Sequence, residues 1–180
     1  MKLLIHICCA PCLIHPLEVL KLKGIEVSGI FYNPNIHSLL EYNARKKALT
    51  ALNPGIELIC PDYLPQEFFR AINLKEDSPA RCAICWKLRL RKTAAIARER
   101  GFGHFTTTLL VSPYQDHESL KRIGIEAAKE AGIEFYYADF RQGFKKAHEE
   151  AREKGLYMQN YCGCIYSEIE RNKKKAICAK

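Results

Sequence analysis

The sequence predicts an α/β fold, in which a five-stranded parallel sheet is doubly wound and carries helices on both faces. Two observations predict it. Apolar runs of strand length alternate with helical patterns along the chain, and a helical connection follows each of five such runs. The chain has 180 residues, which is room for one domain with a substantial core. We therefore expect a single domain over 1–180, with 156–180 as an extension that folds back on the functional site.

The individual elements follow from hydrophobic periodicity and from turn residues. The predicted strands cover 2–7, 26–32, 56–60, 104–110 and 133–138. The predicted helices cover 11–23, 38–52, 66–72, 82–100, 118–131 and 144–154, and a short basic helix follows in the last segment. Turn residues such as N-P-G at 53–55 and single glycines end several helices. Within 82–100, a stripe at helical spacing is predicted to face the core: Trp86, Leu90, Ala94 and Ala97.

The point where the winding direction of the sheet reverses is the predicted binding crevice. Ligands of doubly wound sheets bind outside the carboxyl ends of the strands at that point. With the order 3-2-1-4-5, the first and fourth strands are neighbours there. The first strand leads into C-C-A-P-C at 8–12 and the fourth into S-P-Y-Q-D-H at 112–117. The topology therefore predicts that the first cysteine group lies in the crevice.

The net charge of +8 points to a polyanionic partner. Seven basic residues against one acid lie between 81 and 100, and the last ten residues add five basic residues and no acid. Such a stripe suits RNA or DNA, with Lys87 and Arg91 as candidate contacts. A solvated helix face and a basic terminus are the alternative.

The cysteine content indicates metal or redox chemistry. No stretch approaches the roughly 20 apolar residues of a membrane helix, and the first residues do not resemble a secretory signal, so we expect a cytoplasmic protein without a membrane partner. In a reducing compartment, nine cysteines are more typical of metal ligands or redox catalysts than of disulfides. Structural disulfides remain an alternative if the protein comes from a hyperthermophile.

Three cysteine groups are candidates for one centre. Cys8, Cys9 and Cys12 follow the first strand, Cys82 and Cys85 begin a helix, and Cys162 and Cys164 lie in the last segment. Two residues between Cys82 and Cys85 bring both sulfurs within reach of one metal, and a helix N-terminus favours anionic sulfur. Seven thiols exceed the four ligands of one zinc ion or one cluster, which suggests a cluster with a redox pair or with a second metal.

Other interpretations of these residues stay open. Structural zinc is the main rival for the seven cysteines. Cys60 is expected to be a small buried residue and Cys178 a thiol of the tail, while His6 and His104 are expected to be satisfied core residues.

The polar segments after strands four and five hold further candidates. Asp116 and His117 can act as acid, base or ligand, or as a helix cap and a surface group. Arg141 can bind a phosphate or pair with Asp139. The chain contains no G-x-x-x-x-G-K-[ST], G-x-G-x-x-G or S-G-G-x-D-S loop, so bound ATP or NAD is not expected.

Several motifs together resemble one known family. They are H-I-C-C-A-P-C at 6–12, R-C-A-I-C at 81–85 with L-R-L at 88–90, T-T-L-L-V-S-P-Y at 107–114, D-F-R at 139–141 and Q-N-Y-C-G-C-I-Y-S at 159–167. In order and spacing the chain resembles QueH, the family of cobalamin-independent epoxyqueuosine reductases. One departure is Met158, where an arginine is common in the family.

The resemblance implies a fold of the HUP type and the last step of queuosine synthesis. That step removes the epoxide oxygen of epoxyqueuosine at the anticodon wobble position of tRNA, with two electrons from an external donor. The resemblance further implies a 4Fe–4S cluster held by Cys8, Cys9, Cys82 and Cys85, with the role of Cys12 open. Cys162 and Cys164 are implied to be a redox pair or the ligands of an additional mononuclear iron.

The remaining candidate residues serve the substrate and its protons. Water, Asp116 or Tyr161 can protonate the departing oxygen. Substrate contacts are expected from Ser112, Tyr114, His117 and Arg141, in addition to Lys87 and Arg91. The alternative functions are a zinc-containing tRNA-binding protein, a metal-free thiol–disulfide redox protein and a tRNA thiolase, and the missing ATP loop counts against the last.

Overall fold

Five parallel strands form one sheet in the computed structural model, which describes residues 1–178. They are β1 (Lys2–His6), β2 (Glu26–Ile30), β3 (Leu58–Ile59), β4 (His104–Thr107) and β5 (Glu134–Phe135). Their order is β3-β2-β1-β4-β5, which confirms the predicted doubly wound sheet. Residues 179 and 180, the end of the predicted basic tail, lie outside the described residues, as do the side chains of 174–178, among them the predicted tail thiol of Cys178.

Helices connect the strands and cover both faces of the sheet. They are α1 (Ala10–Leu22), α2 (Leu39–Leu52), α3 (Pro65–Ile72), α4 (Ala80–Glu99), α5 (His117–Ala131), α6 (Phe144–Glu153) and α7 (Ile165–Cys178). Contacts group α1 with α2 and α6 on one face, and α4 with α3 and α5 on the other. Among the described residues, no helix is long and apolar enough to cross a membrane.

The core lies between β1 and these two helical layers. Leu3, Leu4 and Ile5 are fully buried, because the central strand of a covered parallel sheet has no solvent face. On α4, the predicted stripe is buried, with exposures of 7% or less: Trp86, Leu90, Ala94 and Ala97. The prediction of that core stripe is confirmed.

All five strands are shorter than the sequence suggested, and the differences at the fourth and third strands affect the ends that carry the site. The fourth strand stops at Thr107, where the side-chain oxygen accepts a hydrogen bond from the Leu109 backbone at 3.1 Å and turns the chain into a 3-10 helix, Thr108–Val111. The third strand pairs with β2 over only two residues. Cys60 follows it and is exposed, so the expectation of a small buried residue at this position was wrong.

Register places the first cysteine group beside the end of β4. His6 of β1 pairs with Thr107 of β4, so the next residues of both chains leave the sheet together. The backbone N–H of Cys8 donates to the Thr108 hydroxyl at 3.0 Å. The first cysteine group therefore contacts the 3-10 helix that directly follows β4 and leads into the segment 112–117.

Candidate metal centre

The first thiol group surrounds the N-terminus of α1. The sulfur atoms of Cys8, Cys9 and Cys12 all lie within 4.8 Å of one another, and the Sγ atoms of Cys8 and Cys9 are 3.7 Å apart. Cys9 and Cys12 are buried, with 1% and 5% of their surfaces exposed. Cys12 reaches the group because α1 starts at Ala10, so that its first turn carries this side chain back towards Cys9.

Hydrogen bonds within this group favour ionisation of the Cys8 thiol over those of Cys9 and Cys12. Hydrogen bonds with the thiols of Cys12 and Cys9, and a hydrogen bond from the Thr108 hydroxyl at 3.2 Å, lower the pKa of the Cys8 thiol well below its usual range. The same bonding with Cys8 raises the pKa of Cys12, and burial raises the pKa of Cys9. One thiolate shared among three sulfurs is therefore favoured at Cys8, and thiolate is the form that binds a metal.

The second thiol group lies in the first turns of α4. Cys85 is buried, and burial raises its pKa to about 12, while the charge of Arg89 acts in the opposite direction. Cys82 is partly exposed, with its sulfur 3.7 Å from the Ser78 hydroxyl. Cys85 packs with Cys164 in a small buried cluster that includes Phe68 and Ile72. The cluster brings the second and third cysteine groups together.

Hydrogen bonds from Arg45 and His37 hold the backbone of the third group. Arg45 donates hydrogen bonds at 3.0 Å to the carbonyl oxygens of Cys162 and Tyr161. The carbonyl of Gly163 accepts a hydrogen bond from the His37 backbone at 2.9 Å, and the Tyr161 hydroxyl donates to the His37 carbonyl. These contacts fix the C-G-C loop against the segment after β2. Cys162 is exposed as a whole residue, but its thiol is desolvated, and this raises the pKa of the thiol.

Arg89 of α4 links the three groups electrostatically. Only 1% of its surface is exposed, and its Nε donates to the carbonyl of Cys85 at 3.3 Å. Its positive charge opposes the rise that burial causes in the pKa of Cys85 and of Cys162, and the thiolates of Cys85, Cys162 and Cys8 in turn raise the pKa of Arg89. Among the described residues, Arg89 forms no ion pair with a carboxylate. A buried cation without a carboxylate partner is expected where its counter-charge is anionic sulfur.

The arrangement fits a thiolate-bound metal centre. In the described part of the chain, several buried polar atoms around these loops have no hydrogen-bond partner: Asn33 Oδ1, Asn35 Oδ1, Gln159 Oε1 and Arg89 Nη2. The Gln159 amide donates to the sulfur of Cys9 at 2.8 Å, which is the kind of contact that supports a ligand thiolate. Cysteine thiolates are the ligands of iron–sulfur clusters and also of zinc sites.

The predicted substrate residues lie in different environments. Tyr114 is 83% exposed, with its ring edge against Phe144. His117 is buried, and its Nε2 lies 3.3 Å from the Ser112 carbonyl. Lys87 and Arg91 line a groove between α3 and α4. The guanidinium of Arg91 forms an ion pair with Glu130.

Asp116 and Arg141 make local contacts that the sequence had left as alternatives. The Asp116 carboxylate caps α5 by accepting from the Ser119 backbone at 3.1 Å, and this bond lowers its pKa. Asp139 pairs with Arg141, which lowers the pKa of the carboxyl to about 2. Their roles towards a substrate stay predictions.

Sequence reasoning missed two buried arginines and several hydrogen-bonding groups at the site. Arg45 lies three residues after Tyr42 and four before Leu49 on the buried face of α2, and Arg89 lies three residues after Trp86 on that of α4. A cation within an apolar helical stripe was the available signal. Thr108 and Gln159 were recognisable only as parts of the family motifs, because their partners are about 100 and 150 residues away.

Comparison with known proteins identifies the family. A family model described as "Epoxyqueuosine reductase QueH" matches residues 3–170. The chain belongs to the QueH family. Epoxyqueuosine reductase QueH of Dehalococcoides mccartyi is 39% identical over 173 residues, covering 94% of both chains. QueH of Thermotoga maritima is 34% identical over 183 residues, covering 96% of this chain and 93% of that protein. QueH of Histophilus somni is 37% identical over 180 residues, covering 96% and 74%.

A solved structure supports the fold independently of the QueH sequences. A predicted subunit of a tRNA methyltransferase from Methanocaldococcus jannaschii superimposes with a TM-score of 0.56, covering 85% of this chain and 75% of that one. The two sequences are 12% identical, so the likeness concerns the Rossmann-like fold alone.

Proposed function

We propose that this protein reduces the epoxide of epoxyqueuosine in tRNA to give queuosine, in the cytoplasm and with electrons from an external donor. The observation that carries the proposal is the QueH family match over residues 3–170, which spans all three cysteine groups. Removal of the epoxide oxygen consumes two electrons and two protons and releases water. The protein must therefore hold a redox centre, bind a polyanion and supply protons.

The cysteines are the proposed ligands of the redox centre. Cys8, Cys9, Cys82 and Cys85 would hold a 4Fe–4S cluster, which supplies electrons one at a time. The sulfurs of Cys8 and Cys9 lie together, Cys85 shares the charge of Arg89 with Cys8, and Cys12 adds a third sulfur to the first group. These observations support one shared centre rather than separate sites.

The last segment is the proposed working part of the site. Residues 156–180 would act as an extension of a single domain over 1–180. Cys162 and Cys164 would serve either as a redox pair, which gives up two electrons by forming a disulfide, or as ligands of an additional mononuclear iron. Arg45 holds the backbone carbonyl of Cys162 and would fix its position in both cases.

Protons and substrate contacts would come from residues around the crevice. Water, Tyr161 or Asp116 would protonate the departing oxygen. Contacts to the modified nucleotide would come from four residues after β4 and β5, namely Ser112, Tyr114, His117 and Arg141. Lys87 and Arg91 would contact tRNA phosphates, because polyanion binding depends on such cations.

Anaerobic purification with an absorption spectrum and analysis of iron, sulfide and zinc tests the centre. We expect a brown protein with iron and sulfide, and loss of the chromophore in Cys85→Ser but not in Cys60→Ser, whose thiol is exposed. Bound zinc without a chromophore would contradict the iron–sulfur centre and favour the zinc-containing tRNA-binding alternative. A colourless, metal-free but active preparation would favour the thiol–disulfide alternative.

A turnover assay with tRNA carrying epoxyqueuosine tests the reaction itself. Mass spectrometry of the digested tRNA should show a loss of one oxygen. Cys162→Ser should abolish turnover in both versions of the mechanism. Reduction at the wild-type rate by this variant would show that the last segment has no part in the chemistry.

A further inference from the structure

The groove between α3 and α4 lies beside the cysteine groups. It has a volume of about 610 Å³ and is lined by Tyr32, Ile84 and Leu88 together with charged side chains. Tyr32 is the second residue after β2, and its carbonyl accepts a hydrogen bond from Nε2 of the buried His6 at 3.1 Å, so the groove begins at the edge of the sheet where the cysteines lie. Ile84 is the chain neighbour of Cys85.

The charge of this groove is strongly positive. Four cations line it: Arg70, Lys87, Arg91 and Lys92. The lining carboxylate, Glu67, accepts a hydrogen bond from the Tyr32 hydroxyl, and Arg91 pairs with Glu130 outside the lining. In the described residues, Arg70, Lys87 and Lys92 form no ion pair. The Lys92 ammonium lies 6.0 Å from the centre of the Tyr32 ring, which directs this charge into the groove.

Cations around apolar side chains suit one ligand chemistry. A phosphodiester needs positive charge at its oxygens, and the ribose and base of the same nucleotide offer apolar faces to side chains such as Ile84 and Leu88. Three cations from two helices can contact successive phosphates, whereas a single inorganic anion would use one or two of them. The pattern therefore favours a nucleic-acid strand over an isolated phosphate.

We propose that the α3–α4 groove binds the RNA strand that flanks the modified nucleotide, with Arg70, Lys87 and Lys92 on its phosphates. The proposal rests on the proposed function, because it takes tRNA as the substrate. It adds Arg70 and Lys92 to the expected contacts and assigns Arg91 to the rim, where Glu130 holds it.

Fluorescence anisotropy with an unmodified anticodon stem-loop RNA tests the groove on the full, anaerobically purified protein. The variant Arg70→Gln/Lys87→Gln/Lys92→Gln removes three exposed or half-exposed charges, and glutamine keeps a good helix propensity. We expect binding to weaken about tenfold or more at 0.1 M salt. The slope of log K against log salt should become shallower by about 2, since each neutralised phosphate contributes about 0.7 on a single strand.

A matched control removes three charges from the opposite edge of the sheet. Lys2 begins β1, while Lys21 and Lys129 lie in the last turns of α1 and α5, just before β2 and β5. Lys2→Gln/Lys21→Gln/Lys129→Gln lowers the net charge by the same amount and should leave affinity and slope within about twofold of the wild type.

The outcomes separate the groove from the proposed reaction. Equal RNA affinity in the groove variant and the control would overturn the proposal that the groove binds RNA, whether or not epoxyqueuosine is reduced. Displacement of the RNA by micromolar AMP would identify a mononucleotide site and would also overturn it. Loss of RNA binding in the groove variant alone would support the groove, even if the wild-type protein failed to reduce epoxyqueuosine.

Discussion

The guanidinium of Arg45 donates a hydrogen bond to the backbone carbonyl of Cys162, at a distance of 3.0 Å and across 117 positions of the chain. A second bond of the same length reaches the carbonyl of Tyr161, and the Nε donates to Glu41 at 2.7 Å. Only 2% of Arg45 is exposed. One buried fork therefore joins α2 to the loop that carries Cys162 and Cys164.

Replacing Arg45 tests that joint. Arg45→Gln leaves the Glu41 carboxylate, whose side chain is 10% exposed, without its cation, so we expect unfolding to become easier by about 3 kcal/mol in urea titrations. In the native, metal-free chain, alkylation of Cys162 and Cys164 should become faster, because their loop is released. Lys47→Gln, on an exposed position of the same helix, should change neither quantity. Unchanged alkylation in Arg45→Gln would show that the loop is held by other contacts.

Gly163 is a second test of the same loop. Its φ of +134° is a conformation that side chains rarely adopt, and an added Cβ would lie 3.0 Å from Ile36 Cγ1 and 3.3 Å from Arg45 Nη1. We expect Gly163→Ala to lower the free energy of unfolding by about 1–3 kcal/mol and to lower turnover. Gly103→Ala, where a Cβ would meet nothing within 4 Å, is the control and should behave like the wild type. Equal stability of the two variants would contradict this account of the loop.

Arg89 should matter more to the loaded protein than to the empty one. Since no carboxylate of the described residues pairs with it, Arg89→Met removes a buried charge whose counter-charge is thiolate. We expect the metal-free variant to be at least as stable in urea as the metal-free wild type, but to retain less iron after anaerobic purification. Arg81→Met is the comparison for stability alone, because Arg81 is equally buried on α4 but pairs with Glu170 at 2.8 Å, so its loss should destabilise the metal-free chain. A large loss of stability in Arg89→Met with full iron content would contradict the assignment of thiolate as the counter-charge of Arg89.

The hydroxyl of Thr108 is expected to tune Cys8. It donates to the Cys8 sulfur at 3.2 Å and lowers the pKa of that thiol, and it accepts from the Cys8 backbone at 3.0 Å. In Thr108→Val the pKa of Cys8 should rise, so its alkylation at a fixed pH, followed by peptide mass spectrometry, should slow. The unpaired N–H should also cost about 1–3 kcal/mol of stability. Thr50→Val removes an exposed hydroxyl that bonds within its own helix and should leave Cys8 unaffected.

Much of the fold follows from local patterns in the sequence. Short apolar runs and helical periodicity predicted the strands and helices, because burial in a covered parallel sheet requires continuous apolar strands. The order of winding then brought the segment at Cys8 beside the segment at Thr108. Even the buried stripe of α4 around Leu90 was predictable, since it depends on spacing alone.

The sequence by itself determined which residue types were available for the chemistry: three cysteine groups, a basic helix and a set of family motifs. Only the tertiary structure decided how they meet, because contacts over about 100 residues leave no local signature. It placed Arg45 on the C-G-C loop, Arg89 among the thiols and Thr108 on Cys8. It also exposed Cys60, since β3 pairs over two residues and ends before burying that side chain. Hydrophobic periodicity predicts which face of a helix or strand is covered, but only the packing of the folded chain decides which polar groups are buried beside that face.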